Sequence, residues 1–202
     1  ILTAADFARV NPNTGTAPIF RTRRDAEITK GIYGRLPVLV HRSGKQPVAA
    51  YPVRYFTMFH MTNDSNLFVT KDELTKKAYQ VGGNRWRQGS EEFVPLYEGK
   101  MVQAYDHRAA SIVVNLANLN RPAQPQPATE QQHADPAWSP DPQFWVSSTS
   151  VEWSRGVNWG LVFKDVTAPT NIRTMIAAFI PLSGVGNTLP LILGEDGSLY
   201  AN

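Results

Sequence analysis

The chain has 202 residues, of which 42% are hydrophobic and 18% charged, with a formal net charge of +3 and no cysteine. This length suits one domain with a real hydrophobic core, and the lack of cysteine excludes disulfides, cysteine zinc sites and a thiol nucleophile. No apolar run reaches the ~18 residues of a membrane span and no signal segment is recognisable, so we expect a cytoplasmic protein. Because the sequence begins without methionine and ends just after an apolar run, we expect it to be a piece of a longer protein.

The helical signals lie in the first 80 residues. Thr3 and Asp6 have the spacing of a capping box, as do Thr70 and Glu73, so each pair predicts a helix start. Apolar positions four residues apart predict another helix after Arg24. The predicted helices cover residues 4–10, 25–33 and about 71–81.

Strand signals dominate after the third helix. Alternating or continuous apolar runs between turn residues are typical of strands. The predicted strands cover residues 38–40, 51–61, 93–97, 101–105, 109–116, 144–146, 159–166, 174–182 and 189–193, with turns at 43–45 and 194–197. Residues 121–142 hold six of the 15 prolines and predict an internal loop. Together these signals predict one α+β domain, a strand-rich mixed sheet with short helices mainly in the first 80 residues.

Positive charge is concentrated in the first half of the chain. Residues 1–110 hold 16 Lys or Arg against 10 Asp or Glu, whereas residues 111–202 hold 4 against 7. Thirteen of the 20 basic residues are arginine, whose planar guanidinium suits phosphates and guanine edges. The pattern favours a nucleic-acid partner, although a modest basic pole is also common on soluble proteins.

Few patterns in the sequence point to an enzyme. It contains no Gly-x-Ser-x-Gly elbow, no Walker loop, no Gly-x-Gly-x-x-Gly and no histidine pair at metal-ligand spacing. Glu98-Gly99-Lys100 has the Glu-x-Lys form used by metal-dependent nucleases, with Asp64 or Asp72 upstream as a further Mg²⁺ ligand. The alternative is a turn in which Lys100 meets phosphate or solvent.

Three basic clusters are candidates for contacts with DNA. Arginines at the start of the second helix oppose the helix dipole, which suggests that an anion is bound there, although a solvated helix start is the alternative. Two arginines flank Trp86, which either packs on a sugar or base or covers the core. Asp106 and Arg108, if on a strand, point to one face and can pair, which would hold the guanidinium in place. The arginines of the first two clusters are Arg21, Arg23, Arg24, Arg85 and Arg87.

Several blocks of the sequence resemble one family. Residues 11–28 contain Asn-Pro-Asn-Thr-Gly followed by Pro-Ile-Phe-Arg-Thr-Arg-Arg-Asp, and similar blocks follow in the family's order up to residues 186–191. The family comprises the large bacterial single-chain restriction-modification methylases of the type IIG kind and related phage-defence methylases. The later matching blocks are 58–68, 95–101, 105–108, 163–166, 170–174 and 186–191. Tyr105 stands where the family usually has Phe.

The resemblance implies a non-catalytic role for this chain. In these adenine-specific N6 DNA methyltransferases, the matching blocks lie on the C-terminal side of the catalytic domain and lead into the region that recognises the DNA target. The cofactor-binding glycine motif and the Asn-Pro-Pro-Tyr/Phe motif of the catalytic domain are both absent from this sequence. We therefore expect S-adenosylmethionine to bind the catalytic domain of the parent protein and not this chain.

The sequence therefore predicts the target-recognition portion of such a methyltransferase, with double-stranded DNA and the remainder of the parent protein as partners. The predicted phosphate contacts are Arg21, Arg23, Arg24 and Lys100, with Arg108 held by Asp106. The predicted contacts with base edges are Asn63, Asn171 and Arg173. Arg85 and Arg87, on either side of Trp86, are further predicted contacts with DNA. Two alternatives stay open: a metal-dependent nuclease using Glu98 and Lys100, and a structural spacer between the methylase and its recognition elements.

Overall fold

Two compact units make up the chain, Ile1–Val53 and Arg54–Asn202. The computed structural model describes residues 2–42, 44, 46–118, 120–151, 158–168 and 170–194, so the predicted turn at 194–197 and most of the one at 43–45 lie outside the described residues. Within these ranges there are four α-helices and 13 short strands in several sheets, and three of the four helices lie in the first 80 residues. The α+β prediction is confirmed. No helix in the described ranges is long and apolar enough to cross a bilayer.

The first unit is built on two capped helices. Helix α1 (Ala4–Val10) begins with the capping box predicted at Thr3. Helix α2 (Arg23–Tyr33) begins two residues before the predicted start, with a second box formed by Thr22 and Asp25. Lys30 Nζ of α2 lies 3.1 Å from Asp6 Oδ2 of α1, so an ion pair joins the two helices.

The predicted buried strand at 38–40 is wrong. The chain instead forms a two-residue ribbon of strands β1 (Val40–His41) and β2 (Val48–Ala49), and neither strand is buried. Only Asp6 and Val10 are buried among the described residues of this unit. An apolar run of three residues therefore has no core here to pack into.

The second unit begins with two more departures from the predicted elements. The strand predicted over 51–61 shortens to β3 (Val53–Phe56), and helix α3 (Lys71–Lys77) ends at Ala78 instead of continuing to residue 81. The residues that follow α3 are taken into a hairpin because Gly82, Gly83 and Asn84 all adopt positive φ and reverse the chain. The hairpin strands are β4 (Tyr79–Gly82) and β5 (Arg85–Gln88).

The central strand of the second unit is β6 (Glu91–Tyr97), as predicted at 93–97. It pairs with β5, with β9 (Trp145–Ser147) and, in parallel, with β12 (Gly184–Val185). The parallel contact is close: a Cβ on Gly184 would lie 2.7 Å from Val146 Cγ2, so only glycine fits there.

A second sheet of this unit has the strand order β11-β10-β13-β3. Its other strands are β10 (Trp159–Phe163), β11 (Ala177–Pro181) and β13 (Leu191–Gly194), all within predicted strands or within two residues of them. Their inward side chains form the largest buried cluster, which includes Val162, Ile180 and Leu191. The strand predicted at 101–105 is wrong, because a 3-10 helix (Gly99–Met101) and a turn occupy that segment.

The proline-rich segment is not a structureless loop. Strand β7 (Ala110–Val114) pairs with β8 (Ala123–Pro127), and helix α4 (Glu130–Ala134) follows with its own capping box. Pro125 lies opposite Ile112, whose N–H donates away from the ribbon to the carbonyl of Asp141. Pro125 therefore sits at a position that needs no N–H toward β7, which is how a strand accommodates proline.

Candidate nucleic-acid interface

Arg85 and Arg87 are engaged within the protein. Arg85 Nε lies 2.8 Å from Glu92 Oε1, and Arg87 Nη2 lies 3.7 Å from Glu92 Oε2. Because strand side chains alternate, Trp86 between them points into the core and is packed edge-on against Trp145. Of the two alternatives for the indole, the structure therefore shows the one in which it covers the core.

Lys100 is also partly occupied. Its Nζ lies 3.1 Å from Glu98 Oε2 and 3.3 Å from the carbonyl oxygen of Ala123. The Glu98 side chain is buried, and it faces a lysine where the nuclease alternative needs a metal ion. The described residues contain no group of three or more His, Asp or Glu side chains that could hold a metal ion.

Arg108 is held in place, but not by Asp106 as predicted. The two residues lie in a turn, and Asp106 Oδ1 accepts a hydrogen bond of 2.7 Å from the backbone N–H of Arg108. The guanidinium donates to the carbonyl oxygens of Gln132 (2.6 Å) and Asp135, and it stacks over the Trp138 ring at 5.3 Å. This arginine fastens α4 to the rest of the unit.

The three arginines around the start of α2 are exposed. Arg23 is 94% exposed and its Nε lies 3.0 Å from Glu27 Oε1, while Arg24 Nη1 lies 3.9 Å from the other oxygen of Glu27. Arg21 is exposed just before the helix. The carboxylate of Asp25 caps the helix start, so the chain itself supplies anions where the sequence predicts an external one. These pairs are solvated and exchange easily with another anion.

The two units also differ in net charge. Residues 1–53 contain eight Lys or Arg and three Asp or Glu, a net charge of +5, whereas residues 54–202 contain 12 against 14, a net charge of −2. The net positive charge of the chain therefore lies in the first unit.

Tyr105 is the most unusual exposed residue of the second unit. Its φ is 64°, a left-handed conformation that costs a bulky side chain about 1–2 kcal/mol. The backbone N–H of Tyr105 donates to the carbonyl of Ala177, and this bond of 2.8 Å holds the turn in place. The ring is 85% exposed, so the conformation presents an aromatic side chain to solvent.

Arg173 lies beside that ring. The guanidinium carbon is 5.4 Å from the centroid of Tyr105, within the range of a cation–π contact. Ile172 is fully exposed and Met175 half-exposed, and both line the same open cavity of about 390 Å³ as Tyr105 and Arg173. We call this set, with the exposed Asn171 next to it in sequence, the Tyr105–Arg173 surface.

Asn63 lies elsewhere, in an exposed turn of the second unit. The backbone N–H of Asn63 donates a hydrogen bond of 3.4 Å to His60 Nδ1. The backbone N–H of His60 donates a hydrogen bond of 2.7 Å to Asp64 Oδ2. Asn63 does not line the cavity of the Tyr105–Arg173 surface.

Tyr105 is a site residue that sequence patterns did not indicate. Its only signal was the aromatic position before Asp-His-Arg, because a positive φ and an 85% exposed ring leave no trace in composition or spacing.

Comparison with protein-family models, with curated proteins and with solved structures finds no match to this chain.

Proposed function

We propose that this chain is the DNA-binding, target-recognition portion of a bacterial restriction-modification N6-adenine DNA methyltransferase. The observation that carries the proposal is the Tyr105–Arg173 surface, where an exposed aromatic ring, a guanidinium and two apolar side chains meet. The sequence blocks that resemble the methylase family support the same assignment and cover both sides of this surface.

The chemistry of the surface suits base edges. A guanidinium donates two parallel hydrogen bonds to the O6 and N7 atoms of guanine, and an asparagine amide pairs with adenine. Exposed aliphatic side chains such as Ile172 contact thymine methyl groups, and an aromatic ring stacks on a splayed base. Arg173 and Asn171 are the base-reading residues of the proposal, with Tyr105 orienting the guanidinium.

The first unit supplies the contacts with phosphate in this proposal. Arg21, Arg23 and Arg24 are exposed, and the pairs with Glu27 are of the surface kind worth about 0–1 kcal/mol. A DNA phosphate can replace the glutamate at little cost. The sequence lacks the glycine motif that would hold S-adenosylmethionine, so we assign no methyl transfer to this chain.

Fluorescence anisotropy with random-sequence duplex DNA tests the proposal. Binding should weaken linearly with the logarithm of salt concentration, and Arg23→Ala and Arg24→Ala should each reduce the slope by about one. Arg87→Ala is the matched control: it also removes one guanidinium, but from the second unit, whose net charge is −2, and it should leave the slope unchanged.

Two other results would redirect the assignment. Absence of binding at low salt would favour the structural spacer. The exposed Ile28 and Ile32 of α2 favour it too, because these apolar side chains have no core of their own to pack into. Mg²⁺-dependent cleavage that disappears in Lys100→Ala would favour the nuclease.

A further inference from the structure

The second unit contains a cavity apart from the predicted DNA contacts. Of those residues, only Arg85 lines it. It has a volume of about 280 Å³, just below the range of about 300–1,000 Å³ typical of small-molecule sites. It lies between the turn before β5, the end of β6, the segment at 139–140 and the end of β11. Prolines form much of its wall, namely Pro95, Pro140 and Pro181.

Tyr97 is the principal polar group of the cavity. Pro95 and Tyr97 are two residues apart on β6, so their side chains share one face of the strand. Tyr97 is 2% exposed, and its hydroxyl forms no hydrogen bond with any residue of the described ranges. Burial raises the pKa of this phenol, so it stays neutral and offers one donor and one acceptor.

Asn84 forms part of the cavity wall together with Gly83 and Arg85. Its amide nitrogen donates to the carbonyl of Pro140 (3.0 Å) and to Asp141 Oδ1 (2.7 Å), which fixes the orientation of the side chain. The amide oxygen is buried and has no hydrogen-bond partner among the described residues. The oxygen is almost inaccessible in this structure, so a ligand donor reaches it only if the cavity wall shifts.

His107 gives the cavity a second neutral group that both donates and accepts. It is half-buried, and burial lowers the pKa of the imidazole against the opposing effect of Asp106. Its ring forms no hydrogen bond within the described residues. At neutral pH it therefore presents one N–H and one free nitrogen.

The cavity carries no unbalanced charge. Arg85 is the one formally charged residue that lines it, and the guanidinium is paired with Glu92 at 2.8 Å. A phosphate or a carboxylate would find no free cation there, whereas a neutral ring with donors and acceptors on its edge matches the groups present. Apolar proline walls suit the faces of such a ring.

We propose that this cavity binds a nucleobase, with the base edge hydrogen-bonded to the Tyr97 hydroxyl and the His107 ring and lying beside the Asn84 side chain. The base comes either from a free nucleoside or from a DNA strand that has turned it out of the helix. The second source rests on the proposed function, because it requires bound DNA; the first does not.

The test uses the full chain and four probes, adenosine, guanosine, cytidine and thymidine. Each is titrated while the backbone amide signal of Gly83 and the side-chain amide signal of Asn84 are followed by NMR. At least one nucleoside should shift both signals, and Tyr97→Phe should weaken its binding about two- to tenfold, the effect of one hydrogen bond. Tyr79→Phe, which removes a hydroxyl from an exposed ring on β4, is the matched control and should bind as the native chain does.

Thermal stability separates binding from folding. Since the Tyr97 hydroxyl has no protein partner, Tyr97→Phe should unfold at the native temperature or above it. If Tyr97→Phe proves unstable, Ser139→Leu replaces it as the test variant. The leucine side chain fills the cavity and should abolish the nucleoside shifts.

A duplex containing 2-aminopurine distinguishes the two sources of the base. A rise in its fluorescence on binding that Tyr97→Phe removes identifies a base turned out of DNA, and nucleoside shifts without that rise identify a free nucleoside. The proposal is overturned if no nucleoside shifts either signal and Tyr97→Phe leaves the duplex fluorescence unchanged, or if Tyr97→Phe binds nucleosides normally. Anisotropy on the same preparation reports separately whether DNA binding itself has failed.

Discussion

A tyrosine at φ 64° with an 85% exposed ring gains little packing energy from its own side chain. The conformation costs about 1–2 kcal/mol for any residue with a Cβ, and only glycine escapes that cost. Tyr105 therefore contributes less to folding than its size suggests, so stability and binding can be separated at this position.

We expect Tyr105→Gly to retain the native stability or exceed it by up to about 1 kcal/mol, because glycine relieves the backbone strain. DNA affinity should fall, since the ring beside Arg173 is lost. Tyr105→Ala is the control: it loses the same ring but keeps the strain, so it should be less stable than the glycine variant by about 1 kcal/mol. Chemical denaturation and anisotropy measure the two effects. Equal stability of the two variants would contradict the strain.

Arg173→Ala should cost about 1–3 kcal/mol on the preferred DNA sequence and relax the preference at one base position. Selection from a randomised duplex library, followed by sequencing, measures both effects. Arg173→Lys should show the same relaxation because an ammonium cannot form the two parallel bonds of a guanidinium. A uniform loss of affinity on all sequences would instead identify Arg173 as a phosphate contact.

At the scale of secondary-structure elements, one carboxylate ties the two helices of the first unit together. Asp6 accepts hydrogen bonds from the Thr3 backbone and hydroxyl and pairs with Lys30 of α2, and these contacts lower its pKa from 3.8 to about 2. Since the folded-state pKa lies below the unfolded value, the stabilisation is complete above about pH 4 and is lost as the pH falls toward 2.

Acid titration followed by circular dichroism should therefore show helix loss in this pH window, and Asp6→Asn should remove that pH dependence while lowering helix content at neutral pH. Lys30→Met is an informative partner variant. It removes the ammonium but leaves the Thr3 hydrogen bonds, so it should move the loss to a higher pH without abolishing it. An unchanged acid transition in Asp6→Asn would show that other carboxylates control it.

The Arg108 guanidinium is one of two side chains that fasten helix α4, the other being His133, which contacts the Arg108 carbonyl and Asp106. Arg108→Lys cannot span the carbonyls of Gln132 and Asp135 or stack flat on Trp138, so residues 129–138 should open more easily by about 1–3 kcal/mol. Hydrogen exchange measures this opening, with Arg121→Ala, at an exposed position, as the control. If Arg108→Lys weakened DNA binding and left the exchange unchanged, the arginine would be a DNA contact after all.

Across the whole molecule, the sequence predicted structure that depends on neighbouring residues, such as helix starts. It did not predict contacts between distant segments. Capping boxes involve residues within one turn, and those at Thr3 and Thr70 gave helix starts that the structure confirms. The same signal exists at Thr129, where Gln132 completes a box, but the surrounding prolines pointed to a loop. Composition misled there because proline suits a strand whose N–H is not needed by its partner.

The candidate site was harder to predict for a related reason. Spacing indicated that Asp106 would hold Arg108, whereas the actual partners come from a helix more than 20 residues further along the chain. The contact between Tyr105 and Arg173 likewise joins two segments brought together by the bond between Tyr105 and strand β11. Sequence patterns identify residue types that suit a chemistry, but tertiary contacts decide which of them remain free to perform it.

The prolines of β8 have a consequence for assembly. Pro125 and Pro127 share the parity that directs the backbone nitrogen away from β7, toward the open side of the ribbon. That side consequently lacks two successive backbone N–H donors, so an extended chain cannot form a complete ladder of hydrogen bonds with it. A two-stranded ribbon is otherwise a ready template for edge-to-edge polymerisation. In a protein with many short strands, we expect these prolines to disfavour strand pairing between copies at this edge.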